Sequence, residues 1–203
     1  MQLFMLNYYK KYIDCEIEKI VRVDYAGECG AVDIYKSQQE YFVNRNEIND
    51  ADDLQLTIEE EVVHKNFFEN LIKKEKYRPT FFSPLWELFG KFVGKKTAKF
   101  GIKYVDLTTI GVEAVIVEHY QGQIIKLNHL RNLVHDVLND SEKESYLMKI
   151  DSLCENINKF YNEELDHKIN SELKVGNIGK IDLFFQHIIG FGTKVVINIA
   201  KNF

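Results

Sequence analysis

A glutamate followed three residues later by a histidine occurs twice in the chain, as Glu61 with His64 and as Glu164 with His167. Residues three apart lie on nearly the same side of a helix, so each pair presents a carboxylate and an imidazole in one direction. This donor set suits a first-row metal ion such as iron, and two copies indicate two ions. The motif therefore constrains the chain to a fold that brings two helices face to face.

Each pair is preceded by a second acidic residue, Glu60 or Glu163. These residues lie four positions before the histidine, which is also close on a helix, so they compete with Glu61 and Glu164 as ligands. The three-residue spacing found in two-metal helix bundles favours Glu61 and Glu164. For one pair alone, the alternative interpretation is a buried ion pair without a metal.

Two further acidic residues fall on the apolar stripes of long helical patterns. Glu28 shares its stripe with Asp24 in the first pattern, and Glu113 lies on the stripe of the third. Burial of a carboxylate without a partner is costly, so Asp24 and Glu28 each require a cation or a hydrogen-bond network. Gly27 and Gly30 flank Glu28, which indicates close approach of a neighbouring helix or a ligand.

Four predicted helices thus carry the pattern of a carboxylate-bridged two-metal site, with a single Glu on two helices and a Glu–His pair on the other two. A mixed oxygen and nitrogen donor set suits iron or manganese. We predict that the same six residues bind the metals and act in catalysis through them, with no separate cofactor-binding site: Glu28, Glu61, His64, Glu113, Glu164 and His167.

Tyr35 and Tyr120 each lie seven residues after a predicted ligand, two turns along the same helix face. They are candidates to order or donate protons beside the metals. The alternative interpretation of both is core packing with a hydrogen-bonded hydroxyl. Glu118 and His119 fall off this face and are either solvated or placed beside the ligands.

The bulk composition narrows the class of protein. A length of 203 residues and a hydrophobic content of 45% suit one globular domain. The formal charge of −5 gives no reason to expect a nucleic-acid partner. The three cysteines form no Cys-x-x-Cys pair, which argues against thiolate metal sites and fits a reducing compartment. We predict a single domain over residues 1–203, with residues 1–13 as a flexible N-terminal extension.

Few helix breakers interrupt the long periodic stretches, since the chain contains only two prolines. The sequence therefore predicts an all-α fold, built as a four-helix bundle of two helix pairs related by a pseudo-two-fold axis. The predicted helices run over about Asp14–Glu47, Asp52–Lys74, Asp106–Val137, and from Ser141 to beyond His167.

Two apolar segments lie outside this bundle pattern. Residues 84–93 are rich in aromatic and aliphatic side chains and are followed by Lys95, Lys96 and Lys99, as in helices that lie at a membrane interface. Residues 183–199 form a second amphipathic segment. We interpret both as too short or too polar to span a bilayer. The alternative for the first segment is an ordinary amphipathic helix packed on the bundle.

In order along the chain, these features resemble the demethoxyubiquinone hydroxylases, which are ferritin-like di-iron monooxygenases of ubiquinone biosynthesis. Cys29, where members often have Tyr, and Asp33, where a basic residue is common, depart from the family pattern but are not ligands. The matching stretches are Arg22–Ala31, Ile34-Tyr35 with Gln38, Glu61–His64 with Phe67 and Phe68, Arg78–Thr80 with Pro84–Trp86, Val112-Glu113 with His119-Tyr120 and Gln123-Ile124, and Glu163-Glu164 with His167.

The resemblance implies a ferritin-like bundle with two membrane-associating helices and an enzyme that hydroxylates the ring of demethoxyubiquinol with dioxygen. It implies two iron ions held by the six residues above and an external reductant, with NADH as a candidate. It also implies a polyprenyl quinone substrate and peripheral membrane association through residues 84–93 and 183–199.

For partners and location, the resemblance implies a lipid-binding partner protein and a ubiquinone-biosynthesis complex, and we include a homodimer as a candidate assembly. In a eukaryote, the expected location is the matrix side of the mitochondrial inner membrane. In a bacterium, it is the cytoplasmic face of the cell membrane.

Three other functions share these ligands or this fold. One is another hydroxylase of the same fold that acts on a different substrate, which the ligands alone do not distinguish. A ferritin-like ferroxidase or iron-handling protein has the same ligands, but storage calls for a hydrophilic exterior, which the two apolar segments oppose. A non-catalytic scaffold that binds quinones or lipids retains the fold without the chemistry. Buried acidic residues with no function destabilise a core, which counts against this scaffold.

Overall fold

The computed structural model describes residues 2–202, except for the side chains of residues 2–4, 83 and 85. Within this range the chain forms seven helices and no strand, so the predicted all-α fold is confirmed. The helices are α1 (Gln2–Val43), α2 (Ile48–Asp52), α3 (Gln55–Glu75), α4 (Ser83–Lys99), α5 (Ile102–Val137), α6 (Asp140–Val175) and α7 (Lys180–Asn202).

Four long helices, α1, α3, α5 and α6, form the bundle, with α1 packed along α3 and α5 packed along α6. The two remaining long helices lie outside it, α4 against α1 and α7 against α5. Each half of the chain therefore consists of a helix with a single Glu, a helix with a Glu–His pair, and an outer helix. This arrangement is the four-helix bundle with two additional helices that the sequence predicts.

The first helix begins at Gln2 rather than at the predicted Asp14. The apolar stripe continues upstream of Asp14, since Ile13 is buried and Leu6 and Tyr12 pack against the core. The mobility of residues 1–13 stays a prediction, and the predicted domain limits at residues 1 and 203 lie outside the described residues.

The connection between α1 and α3 also differs from the prediction. The first helix ends at Val43 instead of Glu47, and the short α2 precedes α3, which starts at Gln55 instead of Asp52. Asn46 turns the chain here with a φ of 60°, a left-handed conformation that asparagine tolerates better than most residues. Helical periodicity does not report such a turn, because the polar residues around it fit either state.

Apolar clusters pack on both sides of the level at which the acidic residues lie. One cluster includes Phe68, Leu127 and Phe160, and the other includes Phe42 and Ile58. Burial of each such side chain stabilises the fold by roughly 1.5–3 kcal/mol. The apolar clusters therefore hold the four bundle helices together around a polar centre.

Glycines let the outer helices approach the bundle closely. A Cβ at Gly94 of α4 would lie 2.3 Å from the Ile34 carbonyl oxygen of α1, and one at Gly90 would lie 2.8 Å from the Gly30 carbonyl oxygen. In the second half, a Cβ at Gly190 of α7 would lie 3.2 Å from the carbonyl oxygen of Gly111. A Cβ at Gly30 itself would meet no atom within 4 Å, so the close approach depends on the glycines of α4 and α7 and the prediction for Gly30 is not confirmed.

The C-terminal helix α7 has 23 residues and is long and apolar enough to cross a membrane by length and composition. We predicted that residues 183–199 are too short or too polar to span a bilayer, and by length and composition this prediction is wrong. The helix extends beyond residues 183–199 at both ends, and this length was not apparent from the apolar core of the segment. One side of α7 packs against α5, with Ile197 and Ala200 buried.

We expect Gly94→Ala to lower the free energy of unfolding by about 1–3 kcal/mol, because the added methyl group overlaps the backbone of α1. The matched control is Gly122→Ala in α5, where a Cβ meets no atom within 4 Å. That substitution should stabilise the helix by about 0.5–1 kcal/mol. Chemical denaturation of both variants measures the two effects, and equal stabilities would contradict close packing at Gly94.

Candidate metal centre

The structure brings the six predicted residues together at the centre of the bundle. Each of the four bundle helices contributes, and all six side chains are buried. The apolar residues on either side of them along each stripe face the same core, which is why the helical spacing directs them inward. They are Glu28 from α1, Glu61 and His64 from α3, Glu113 from α5, and Glu164 and His167 from α6.

The six residues form two overlapping groups of four, each with ligand atoms within 4.8 Å of one another. Glu61 and Glu164 belong to both groups. The first group adds Glu28 and His64, and the second adds Glu113 and His167; no further member occurs among the residues described. Two carboxylates shared between neighbouring groups are the arrangement that carboxylate bridges between two ions require.

The two imidazoles point inward through Nδ1. His64 Nδ1 and His167 Nδ1 each lie 3.1 Å from an oxygen of Glu164. Their outward Nε2 atoms meet acidic residues of the opposite motif: His64 contacts Glu163 at 2.9 Å, and His167 contacts Glu60 at 2.7 Å. A carboxylate on the outer nitrogen fixes the orientation of an imidazole and keeps its inner nitrogen free for a metal.

These contacts separate the roles of the paired acidic residues. Glu60 and Glu163 lie at the edge of the centre, with side chains 33% and 25% exposed. Glu61 and Glu164 are almost wholly buried between the two groups. The three-residue spacing favoured Glu61 and Glu164 as ligands, with Glu60 and Glu163 as competitors. The sequence contained no signal for the crossed contacts, which depend on how α3 and α6 face each other.

The hydrogen bonds of the two tyrosines also cross from one half of the bundle to the other. The Tyr35 hydroxyl donates to Glu113 Oε1, and the Tyr120 hydroxyl donates to Glu28 Oε1. Each tyrosine therefore bonds to the single Glu of the other half and not to the Glu on its own helix. Burial, together with the nearby carboxylates, raises the pKa of both phenols well above the usual value, so they remain protonated donors.

A polar network beside the centre accounts for the other acidic residue on the α1 stripe. Asp24 Oδ1 accepts a hydrogen bond from Gln123 Nε2 at 2.6 Å and lies 3.2 Å from His119 Nε2. Of the two alternatives predicted for Asp24, the structure shows a hydrogen-bond network, whereas Glu28 is directed to the metal centre. Gln123 follows His119 by one helical turn, and this spacing was the available signal for the network.

Burial dominates the electrostatics of the centre. It raises the pKa of Glu28 to about 7 and places the pKa of Glu61 and Glu113 well above the usual range, where neighbouring carboxylates add to the effect. Burial also opposes ionisation of Glu164, but hydrogen bonds from both histidines outweigh it and hold that pKa at about 2. Burial would lower the pKa of His64, yet Glu164 and Glu28 raise it to about 9.

The residues fit a pair of divalent cations. Within the described residues, both carboxylate oxygens of Glu61 are buried without a hydrogen bond. The nearest cationic group, His167 Nδ1, lies 3.7 Å from Glu61 Oε1. A buried carboxylate without a partner is costly, and two dications balance four carboxylates in charge. Cations would therefore satisfy the oxygens that the protein leaves without partners.

An apolar cavity of about 230 Å³ leads to the centre. Its floor contains the four carboxylates, and its walls come from α1, α4, α5 and α7. Phe89, Phe92 and Ile188 line it and are about half exposed, so the cavity opens between α4 and α7. Gly27 also lines the cavity, and a Cβ added there would meet no atom within 4 Å. That Gly27 makes room for a ligand stays a prediction.

Comparison with known proteins gives one family. The family model described as ubiquinone biosynthesis protein COQ7 matches residues 15–200. The chain is 31% identical over 181 residues to the NADPH-dependent 3-demethoxyubiquinone 3-hydroxylase, mitochondrial, of Dictyostelium discoideum, covering 89% of this chain and 75% of that protein.

Two further relatives are similar over shorter stretches. The 5-demethoxyubiquinone hydroxylase, mitochondrial, of Saccharomyces cerevisiae is 34% identical over 152 residues, 74% of this chain and 63% of that protein. The 3-demethoxyubiquinol 3-hydroxylase of Rhodospirillum rubrum is 32% identical over 152 residues, 75% of this chain and 62% of that protein. The match thus spans less than two thirds of the length of these two relatives.

We expect Glu163→Ala to weaken metal binding by about 10- to 100-fold, because His64 loses the carboxylate on its outer nitrogen. The matched control is Asp166→Ala, an exposed acidic residue on the same helix. Anaerobic titration with Fe²⁺ against a chromogenic chelator measures the affinity. Equal affinities of the two variants would rule out this role of Glu163.

The metal-free protein should lose stability as the pH rises from about 6.5 to 9. His64 has a folded-state pKa of about 9 against 6.5 unfolded, so its contribution is complete below pH 6.5 and is lost through pH 9. The pKa of Glu28 is raised from 4.5 to about 7, which gives the same sign over a lower range.

Thermal unfolding of chelator-treated protein across this range tests the expectation. Metal-loaded protein is the control, since bound metal keeps its ligands deprotonated and removes the slope. A metal-free protein whose stability is constant or rises between pH 6.5 and 9 would contradict it.

Proposed function

The chain belongs to the COQ7 family of ubiquinone biosynthesis proteins, and from this premise we propose that it is a di-iron, O₂-dependent monooxygenase that hydroxylates the ring of demethoxyubiquinol to demethylubiquinol. The single observation that carries the proposal is the position of the two overlapping carboxylate–histidine groups at the floor of an apolar cavity. The relatives are named for this hydroxylation.

Two iron ions would be held by the two groups already described, with Glu61 and Glu164 shared between them. The mixed carboxylate and imidazole donor set suits iron. When bound, the irons supply the electrons and the open coordination positions needed to activate dioxygen. The six residues act as catalytic residues through these metals.

The cavity would bind the quinol ring and exclude water from the centre. Its walls are apolar, with Ala31, Trp86, Val112 and Ile189 among them, and they suit an uncharged aromatic ring. Exclusion of water strengthens the electrostatic interactions within the centre. A hydroxylase needs such a cavity, whereas a ferroxidase or an iron-handling protein has no use for one with apolar walls.

Tyr35 and Tyr120 would donate hydrogen bonds to the carboxylate oxygens of Glu113 and Glu28 during turnover. Both phenols stay protonated because burial raises their pKa. In this role they fix the orientation of the single carboxylate from each half. Core packing with a hydrogen-bonded hydroxyl, the alternative that the sequence left open, also accounts for the burial of each phenol and for its hydrogen bond. What favours the positioning role is that both bonds end on predicted metal ligands, Glu113 and Glu28.

The opening of the cavity would face lipid. The two helices that flank it expose Leu88 and Phe92 on α4, and Phe184 and Phe191 on α7. Single exposed apolar residues are ordinary, but several on the helices that flank an apolar cavity are typical of a membrane contact. We propose that residues 84–93 and 183–199 enter the interface, so that the polyprenyl tail of the substrate stays in the bilayer.

We propose that α7 lies along the bundle and does not cross the bilayer. Gly190 packs on Gly111, which ties the middle of the helix to α5. Near its start, Asp182 accepts from Lys103 at 2.8 Å. A spanning orientation would break these contacts and bury the charges of Lys194 and Asp182 in lipid, which is costly.

The names of the relatives support proposals for the reductant and for the location. Several relatives are named NADPH-dependent. We therefore propose a reduced nicotinamide as the external reductant, either NADPH or the NADH expected from the sequence. The eukaryotic relatives are named mitochondrial, and we propose peripheral attachment to the matrix side of the inner membrane for a eukaryotic chain. A lipid-binding partner, a biosynthetic complex, a homodimer and the lack of a nucleic-acid partner stay predictions.

Substitution of a shared carboxylate tests the function. We expect the purified protein to bind about two irons per chain and to hydroxylate a short-tailed demethoxyubiquinone analogue with a reduced nicotinamide. Glu164→Ala should lower turnover to background and reduce the iron content. Mass spectrometry of the product and iron analysis give the two readouts.

The matched control for this test is Glu172→Ala, an exposed acidic residue on the same helix. It should retain both iron and turnover. Unchanged turnover in Glu164→Ala would overturn the assignment of the site, and an iron content near zero in anaerobically reconstituted wild type would overturn the di-iron function.

A further inference from the structure

A positively charged pocket lies between the C-terminal ends of α1 and α4. Arg45, Lys95, Lys96 and Lys99 line this pocket, which we call the basic pocket, and Glu40 is the acidic residue among its lining. Its volume is about 440 Å³. The chain as a whole has a net charge of −5, so this local excess of positive charge is opposite in sign to the protein.

The cations of the basic pocket are poorly compensated. Lys95 Nζ lies 3.7 Å from Glu40, but both side chains are about 60% exposed, where an ion pair contributes little. Lys96 and Lys99 make no ion pair with any described residue. Arg45 is paired with its neighbour Glu47. At least two ammonium groups therefore remain available to an anion.

The basic pocket adjoins the opening of the cavity. Lys96 Nζ lies 5.5 Å from the centre of the Phe92 ring, and Phe92 lines the cavity and is 59% exposed. One face of α4 thus passes from exposed aromatic side chains to exposed ammonium groups within about one helical turn, roughly 5.4 Å. This order matches the change from acyl chains to phosphates across a bilayer interface.

We propose that the basic pocket binds the phosphate of an acidic phospholipid and thereby holds the cavity opening at the boundary between headgroups and acyl chains. This inference rests on the proposed function, from which it takes the assumption that the cavity opening faces lipid. A soluble anion would satisfy Lys96 and Lys99 but leave Phe89 and Phe92 in water. A phospholipid covers both groups, because its phosphate meets the lysines while its acyl chains meet the rings.

Binding to lipid vesicles tests the proposal with full-length protein. The test variant carries Lys95→Gln, Lys96→Gln and Lys99→Gln together. Wild type should bind vesicles of phosphatidylcholine mixed with phosphatidylglycerol more tightly than vesicles of phosphatidylcholine alone, and added salt should weaken this preference. The variant should bind the mixed vesicles about 100-fold more weakly, from roughly fivefold per lysine near an anionic surface, and the neutral vesicles equally.

A control variant with the same change in net charge distinguishes an effect of the basic pocket on vesicle binding from an effect of the overall charge. Lys73, Lys74 and Lys76 are exposed at the end of α3, and their replacement by glutamine should leave the preference for anionic vesicles nearly intact. Circular dichroism melting shows whether each variant is folded. An equal loss of binding in this control, or a wild type with no preference for anionic vesicles, would overturn the proposal.

Two further measurements separate this inference from its alternatives. Inorganic phosphate that binds wild type in the absence of any vesicle preference would indicate a site for free phosphate and overturn the lipid assignment. Turnover of a soluble short-tailed quinone without vesicles should be the same in wild type and in the test variant. Lack of turnover in wild type contradicts the proposed hydroxylase alone, since the vesicle measurements are independent of it.

Discussion

Burial of four carboxylates and two imidazoles at the centre of an otherwise apolar helix bundle is the interaction on which the structure depends. Such a cluster is unstable in a low-dielectric interior unless its members are paired. The crossed contacts partly meet this need: each histidine has a carboxylate from the opposite motif on its outer nitrogen, and each of Glu28 and Glu113 accepts from a tyrosine of the other half. The oxygens of Glu61 remain for a cation.

The crossed contacts also explain why the bundle halves are held in one register. Sliding α6 along α3 by one turn would separate Glu163 from His64 and Glu60 from His167 at the same time. Apolar packing alone tolerates such shifts better, because leucine and isoleucine contacts are less directional than hydrogen bonds. The polar centre therefore specifies the arrangement that the apolar clusters on either side stabilise.

Each outer helix packs on the single-Glu helix of its own half, and glycines allow the close contact. Close backbone contact at Gly90 and Gly94 fixes α4 on α1, and Gly190 fixes α7 on α5. Apolar side chains of both helices line the cavity between them, and others are exposed to solvent. A single packing feature thus connects the route to the metal centre with the surface that we propose contacts lipid.

The sequence by itself determined the all-α fold, the four inward-facing stripes and the six central residues, because helical period and the cost of burying acidic residues are local properties of the chain. It also indicated that Asp24 needs a cation or a hydrogen-bond network. Only the tertiary structure decided that Glu60 and Glu163 contact the outer histidine nitrogens, that each tyrosine bonds across the halves, and that the cavity opens between α4 and α7. These features depend on the rotation and register of one helix against another, which the spacing within a single helix does not specify.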